Sequence, residues 1–573
     1  MATVSSGTDI EARPCPLRVG QLPLDMLADQ LLPLGPNDVP LGLRCISKAA
    51  VSLLPAPKYT TIRLSQRVPP RVFAAHWLAP GATRKLTLKQ RRQLMNLTAA
   101  SGVVPNLEVA VQAAGCSPTH ETFMAAAAGG HLDSCEWLFD HGCPVMDDDC
   151  EVDALSAAAK AGNEHMCEWL STLEEGDYNG AAATEAALRG GHPGLADWLL
   201  QRYPRNLKSA LTGLLSAAAG GCDLATLQRY VQQWGWGRPK GVEPKQRALA
   251  AAAGSPTPDW VAKVEWLEAQ GCPPSVFAGR EAAERSDAVG RLAWLRGRGY
   301  PLRKAEAAML DGDPKAPQAG LEALEPVLAS LRRAHNGLNL ATVFQCADAA
   351  AERGDLDALQ ALHDAGYRPT WGPTGRAALR GGRVEVLEWL AAVLGEPTAQ
   401  QLDVKLLVEA AGAGCVEGLA WLRARSCPWD VAVMRAAANA GSEEALEWLV
   451  ERGCPMPVDG GPYTAAGENR DLATLRCLRR LHVPWGPPGM VFLEVLGEAY
   501  DPAMDVLRWL LEAGCPVDAA TLQHVHYASH EWPWEEVVEL LQEQRRRDGV
   551  EDEDEDEEID YGYSQEYRRT DYY

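Results

Sequence analysis

Ala126-Ala127-Ala128-Gly129-Gly130-His131-Leu132-Asp133-Ser134-Cys135-Glu136-Trp137-Leu138, closing at Gly142-Cys143-Pro144, is the clearest copy of a phrase that recurs along most of this chain. Each copy strings together an alanine run, a Gly, often a His, a Trp-Leu pair and a Gly-Cys-Pro close. The pair returns at Trp169, Trp198, Trp266, Trp294, Trp389, Trp421, Trp448 and Trp509, which sets the register. Closing prolines fall at Pro144, Pro204, Pro239, Pro273, Pro301, Pro369, Pro397, Pro428, Pro455, Pro484 and Pro516, mostly 27 to 35 residues apart once skipped units are allowed for. A period of that length belongs to stacked helix pairs, so function is to be sought on a surface.

One unit reads as a short helix, a tight turn and a second helix. Alanines let the first helix approach its neighbours, and Gly130 or Gly162 supplies the left-handed backbone that ends it. Trp137 and its equivalents are expected to face inward as the repeat core, where truncation to Ala costs about 3–5 kcal/mol. Gly-Cys-Pro closes the unit, because Gly caps the helix and Pro cannot continue it. No single unit buries its apolar stripe alone, so neighbours must stack.

At these residues the chain resembles the ankyrin repeat, with Trp-Leu in place of the family's paired aliphatics and Gly-Cys-Pro in place of its Gly-Ala-Asp close. The resemblance covers residues 86 to 540. The family's Thr-Pro-Leu-His opening is missing from every copy, which leaves the first helix less marked than the second. This variant is similar to large ankyrin arrays of green algae. Tetratricopeptide repeats keep a stricter spacing than this chain does.

An all-α fold follows from the resemblance: an ankyrin-type helix-pair solenoid of about 14 units. The expected organisation is a disordered start (1–16), an F-box-like helical segment (17–55), a basic linker (56–85), the array (86–540) and a disordered acidic, Tyr-rich tail (541–573). Residues 303 to 345 are expected to be irregular.

The segment before the array carries Leu22-Pro23, Asp25, Leu27, Leu31-Leu32, Asp38-Val39 and Ile46 with Lys48. Pro23 suits a helix start, and Leu27 and Leu31 stand one turn apart on one face. Exposed leucines on so short a segment call for a covering partner. These residues resemble an F-box, although Ala50 stands where that family has an aromatic. The resemblance implies that Leu22, Pro23, Leu27, Leu31, Leu32, Val39 and Ile46 bind the Skp adaptor of cullin-RING ubiquitin ligases. The same residues also suit a cap on the array's N-terminal end.

Charge divides the 573-residue chain, whose formal net charge is −23. Residues 39 to 107 hold 11 Lys or Arg and no Asp or Glu, among them Arg63, Arg67, Arg71, Arg84, Lys85, Lys89, Arg91 and Arg92. This basic collar suits a solvated face or an acidic partner better than nucleic acid, since no reading motif accompanies it. Residues 551 to 560 carry nine acids in ten positions, followed by five tyrosines, a composition that cannot bury a core. Such a tail either solubilises the chain or folds back onto the collar.

No catalytic constellation emerges: the chain has no Gly-x-Ser-x-Gly elbow, phosphate loop or His-Glu-x-x-His. Some algal arrays of this kind resemble, through their repeats alone, proteins grouped with sphingomyelin phosphodiesterases, but no metal carboxylates or general base for that chemistry stand out. His524, His526 and His530, and the Cys135, Cys143, Cys150 and Cys167 group with His141 and His165, fit repeat packing better than a metal site. Neither metal nor cofactor is expected. The 15 cysteines fit reduced structural thiols. With no apolar run of membrane length and no signal peptide, a cytoplasmic or nuclear monomer is expected.

The expected function is protein binding: a ligase adaptor that holds a client on its solenoid, or a scaffold outside any ligase. Candidate binding positions precede the turn glycine (Lys160, Arg189, Glu352, Arg380, Asn439) or sit at the tips (Asp147, Asp148, Trp429, Asp430, Trp485). Trp429 and Trp485 also suit stapling of adjacent tips.

Overall fold

A computed structural model describes Asn37 and residues 61–145, 153–173, 180–203, 207–236, 243–302, 340–364, 366–398, 400–497, 502–529 and 534–547. Among these residues every regular element is a helix. Among the described residues a leading helix, Pro70–Trp77, precedes fourteen helix pairs. The first pair is Leu88–Ala99 with Val104–Ala114, and the last is Ala519–Ala528 with Glu535–Arg547. Candidate adaptor residues Leu22 to Ile46 and the tip residues Asp147 and Asp148 lie outside the described residues, as does the acidic tail.

Two compact units divide the chain. One comprises residues 1–455 with Asp471–Thr474, and the other comprises Met456–Arg470 with the residues from Leu475 onward. In the larger unit, first helices pack side by side from Leu88–Ala99 to Val276–Ala283, and again from Leu340–Arg353 to Val431–Asn439. Their alanines make this possible: Ala126, Ala127, Ala158, Ala159, Ala377, Ala378, Ala410 and Ala411 are essentially inaccessible to water. In the smaller unit the helices Gly461–Glu468 and Met490–Leu496 pack together in the same way.

Turn glycines behave as their spacing predicts. Gly130 and Gly162 cap their first helices at φ 71° and 79°, and the closing Gly142, Gly271, Gly453 and Gly514 all have positive φ. Where the repeat has lost its glycine, the backbone keeps the conformation. Ser426, Arg470 and His482 hold φ of 60°, 52° and 56°, a region that strains residues with a Cβ.

The core differs from the expected one. In each Trp-Leu pair it is the leucine that is buried: Leu138, Leu170, Leu199, Leu267, Leu295, Leu390, Leu422, Leu449 and Leu510 are at most 1% exposed. Trp137, Trp169, Trp198, Trp266, Trp294, Trp389, Trp421, Trp448 and Trp509 are only half-buried. Adjacent helical residues point about 100° apart, so only one of the pair can enter the seam, and the slimmer side chain does. The tryptophans lean on its flank. A basic or imidazole group four residues on covers several of them: His141 stacks on Trp137 at 4.0 Å, Arg425 lies 3.7 Å over Trp421 and Arg298 lies 4.9 Å over Trp294.

The closing cysteine has a role of its own. The Cys143, Cys427 and Cys454 thiols donate to the carbonyls of Thr119, Asp403 and Asp430, each 24 residues earlier, at 3.4, 3.3 and 3.8 Å. Those carbonyls belong to residues that begin the first helix of the same unit. The thiol therefore ties the unit's end to its start. Burial pushes the Cys143 thiol up to about 12 and the Cys427 and Cys454 thiols up to about 11, so all three stay protonated at neutral pH.

Three boundaries move. Pro70–Trp77, within the expected linker, is helical, and its Phe73 packs in a small core with Leu88, Leu94, Met95 and Ala110. The helix Leu340–Arg353 starts inside the stretch expected to be irregular. Glu535–Arg547 continues past residue 540, because the apolar stripe of Val537 and Leu541 is buried.

Candidate functional site

The candidate surface is built from the exposed ends of first helices. Each packs its alanines against neighbours and leaves the residue before its turn glycine outside. Lys160, Arg189, Glu352, Arg380 and Asn439 are all exposed at that position, in the larger unit. Arg189 pairs with Glu185 on its own helix, and Arg380 reaches Glu409 of the next first helix at 3.6 Å.

Charged groups gather across the three successive first helices Leu340–Arg353, Pro373–Arg380 and Val404–Gly412. Asp348 on the first of these is half-buried, and its Oδ1 is shielded from water with no hydrogen-bond partner. Burial pushes its carboxyl above the usual range, against the opposing pull of Arg380 and Arg376. Glu352 adds a second negative charge on the same helix. The result is a mixed-sign polar patch, Asp348 and Glu352 beside Arg376, Arg380 and Glu409. Sequence reasoning found Glu352 and Arg380 from the turn register. It missed Asp348 and Arg376, each four residues earlier on the same helix face.

Tip residues are more occupied than expected. The Asp430 carboxylate accepts from the Ala432 amide at 2.9 Å, which makes it the N-cap of Val431–Asn439. Trp429 lies under the Arg423 guanidinium at 3.8 Å. In the smaller unit Trp485 stacks on Tyr463 at 3.9 Å and meets Trp509 at 6.4 Å. Both tryptophans are thus engaged by side chains of their own units.

Along the array runs a set of polar links, part-buried at His131 and Asn163 and buried at Lys263 and Arg291. The His131 ring bonds the Ala100 carbonyl at 3.1 Å, and Asn163 donates to Ala127 and Ala128 at 3.2 and 2.9 Å. Lys263, fully buried, donates to the carbonyls of Ala219 and Cys222 and to the Ser255 hydroxyl at 2.8, 2.7 and 2.6 Å. Arg291 donates to the carbonyls of Ala253 and Ser255, each at 2.8 Å. All four reach back to the end of the preceding unit's first helix, where carbonyls lack intrahelical donors. Burial lowers Lys263 to about 8, despite the nearby Asp259. Chemically different residues thus fill one role.

Arg91 belongs to the basic collar yet is 1% exposed. Its guanidinium meets both carboxylate oxygens of Asp471 at 2.9 and 2.6 Å, and also the carbonyls of Ala114 and Gly441 at 2.6 and 2.9 Å. Burial pulls this guanidinium down, but Asp471 more than offsets the pull and its protonated form is favoured. Arg84 pairs with Glu447, and Lys85 lies 3.8 Å from Glu444. The acidic partner of the collar is, for these three residues, the array itself.

Cys135, Cys143 and Cys167 are buried packing groups whose thiols burial raises to about 12. Among the described residues no helix is long and apolar enough to cross a membrane.

No curated protein sequence matches the chain. Among solved structures, similar chains include the pentatricopeptide repeat protein PPR10 in complex with an 18-nt psaJ RNA element, at 14% identity and a TM-score of 0.26, over 93% of this chain and 88% of that one. PPR10 from maize matches at 13% identity and a TM-score of 0.25, over 93% and 84%. A family profile described as ankyrin repeats, three copies, matches residues 123–209. Residues 123–209 therefore match three ankyrin repeats, within an array of stacked pairs that is all-helical among the described residues.

Proposed function

We propose that this protein is a recruiting array: its first-helix face holds a client protein, and its N-terminal segment hands that client to a Skp-type ubiquitin ligase adaptor. The observation that carries the first half is the mixed-sign patch around Asp348, Glu352, Arg376, Arg380 and Glu409. A half-buried carboxylate with an unpartnered oxygen, flanked by two guanidinium groups, is a costly arrangement for packing alone. A partner with complementary polar groups would meet the exposed Glu352 and Arg380 at the rim of that arrangement. Rigid stacked helices fix the spacing of these groups, which favours recognition of a folded protein surface.

The second half rests on sequence, through Leu22, Pro23, Leu27, Leu31, Leu32, Val39 and Ile46. It is tested by co-purifying the full chain with the Skp adaptor, alongside the variant Leu27→Asp/Leu31→Asp. The client half is tested separately, with Arg376→Glu/Arg380→Glu. Adaptor capture lost only in the leucine variant, together with clients lost only in the arginine variant, supports the whole reading. Clients without adaptor reduce it to a scaffold outside any ligase.

A further inference from the structure

We propose that the leading helix pair, Leu88–Ala99 with Val104–Ala114, is a clasp that docks in cis on the turn row formed by Gly441 and Asp471. The contact joins residues as far as 383 apart in sequence, all of them in the larger unit.

Its construction is specific at each point. The backbone contributes two hydrogen bonds: the Leu88 amide donates to the Ala440 carbonyl, and the Ala473 amide donates to the Gly115 carbonyl, both at 2.8 Å. Arg91 enters between them and satisfies Asp471, Gly441 and its own helix pair at Ala114. Asp471 also accepts from the Thr474 amide at 3.1 Å, so one carboxylate caps the helix Leu472–Arg480 and receives the arginine. Glycine is required on both sides. A Cβ on Gly441 would lie 2.6 Å from the Arg91 guanidinium and 2.7 Å from the Leu88 Cβ, and one on Gly115 would lie 2.9 Å from the Ala473 Cβ. Outside this buried centre, Arg84 with Glu447 and Lys85 with Glu444 extend the same pairing of a basic helix start with an acidic second helix.

Within the array, donors such as His131, Asn163 and Arg291 reach the unit immediately before their own in sequence. Arg91 makes the same kind of link to Gly441, 350 residues later. The turn row thus accepts an arginine-bearing helix as it would accept the next repeat, and the chain supplies that helix from its own N-terminal region. Asn37, which bonds the backbone of Arg63 and Arg67, lies in the segment that precedes the clasp.

A zero-length carbodiimide cross-link tests the contact in the purified full chain, by joining the Lys85 amine to the Glu444 carboxylate. The clasp predicts the Lys85–Glu444 peptide in the monomer fraction. It also predicts that Arg91→Ala abolishes the cross-link and speeds exchange of the Leu88 and Ala473 amides on the order of a hundredfold, as expected for one partner of a buried ion pair left alone. Asp471→Asn keeps a good helix cap and should give the same loss, which guards against misfolding of the first variant. A cross-link found only in a dimer fraction would move the occupant to a second copy and overturn docking in cis. So would a monomer cross-link unchanged in both variants.

Discussion

Replacing Leu138 by Asn and Trp137 by Gln, in separate proteins, separates the two members of a Trp-Leu pair. Leu138 is wholly buried. Its loss forfeits packing worth about 2–5 kcal/mol and leaves a buried amide without partners, worth roughly 1–3 kcal/mol more, or about 5 kcal/mol in all. Trp137 is half-buried on the flank of the same seam. An aromatic of its kind buries roughly 200 Å² when enclosed. Losing half of that at about 25 cal/mol per Å² costs about 2.5 kcal/mol, and the glutamine amide can reach water. Repeat arrays unfold in parts, so hydrogen exchange over residues 120–145 is the fitting assay, with distant repeats as internal reference. Leu138→Asn should bring that region to near-complete exchange while Trp137→Gln leaves it protected. Equal collapse in both would show that the tryptophan is core after all.

Ser426 holds a left-handed backbone where other units have glycine; Ser426→Gly should stabilise by about 0.5–1 kcal/mol, read as slower exchange around Cys427, whereas destabilisation would contradict the strain argument. Gly130→Ala should cost at least about 1 kcal/mol, because φ is 71° and the new Cβ would lie 2.7 Å from Asn163; an unchanged melting profile would count against it. Alkaline pH should weaken the fold. Burial raises nine thiols, Cys116, Cys135, Cys143, Cys167, Cys222, Cys272, Cys427, Cys454 and Cys515, from 9.0 to about 11 or 12. The unfolded chain then binds fewer protons than the folded one, so their stabilisation is complete below pH 9 and is lost as pH rises toward 12. Lys263, lowered from 10.5 to about 8, has the opposite sign between those two values, one group against nine. Melting temperature should hold from pH 7 to 8, rise slightly to pH 9 through Lys263, and fall beyond as the thiols take over; a continued rise toward pH 12 would refute the balance.

Much of the repeat was legible because glycine and proline leave backbone signatures that packing does not alter. Gly130, Gly162 and the Gly-Cys-Pro closes located nearly every turn. The tryptophans misled because size suggests burial, whereas the tight stacking of alanine-rich helices admits the leucine beside them. The polar links were hidden by chemical variety, since His131, Asn163, Lys263 and Arg291 share a role without sharing a side chain. Arg91 did carry a signal. It lies between Leu88 and Met95 at i+3 and i+7 spacing, an arginine within an apolar stripe, which requires a buried acid somewhere. Nothing local names Asp471 as that acid, because the pairing is made only by the fold. Asp348 was passed over for a similar reason: its meaning depends on Arg376 and Arg380 from the next helix.

Co-purification of the full chain with the Skp adaptor tests the recruiting role most directly, with wild type beside Leu27→Asp/Leu31→Asp and Arg376→Glu/Arg380→Glu, all three verified as folded. The account predicts that wild type and the arginine variant retain the adaptor, that the leucine variant loses it, and that the arginine variant alone loses the client. Failure of wild type to bind the adaptor would contradict the ligase role, and clients unaffected by the arginine variant would contradict the first-helix face.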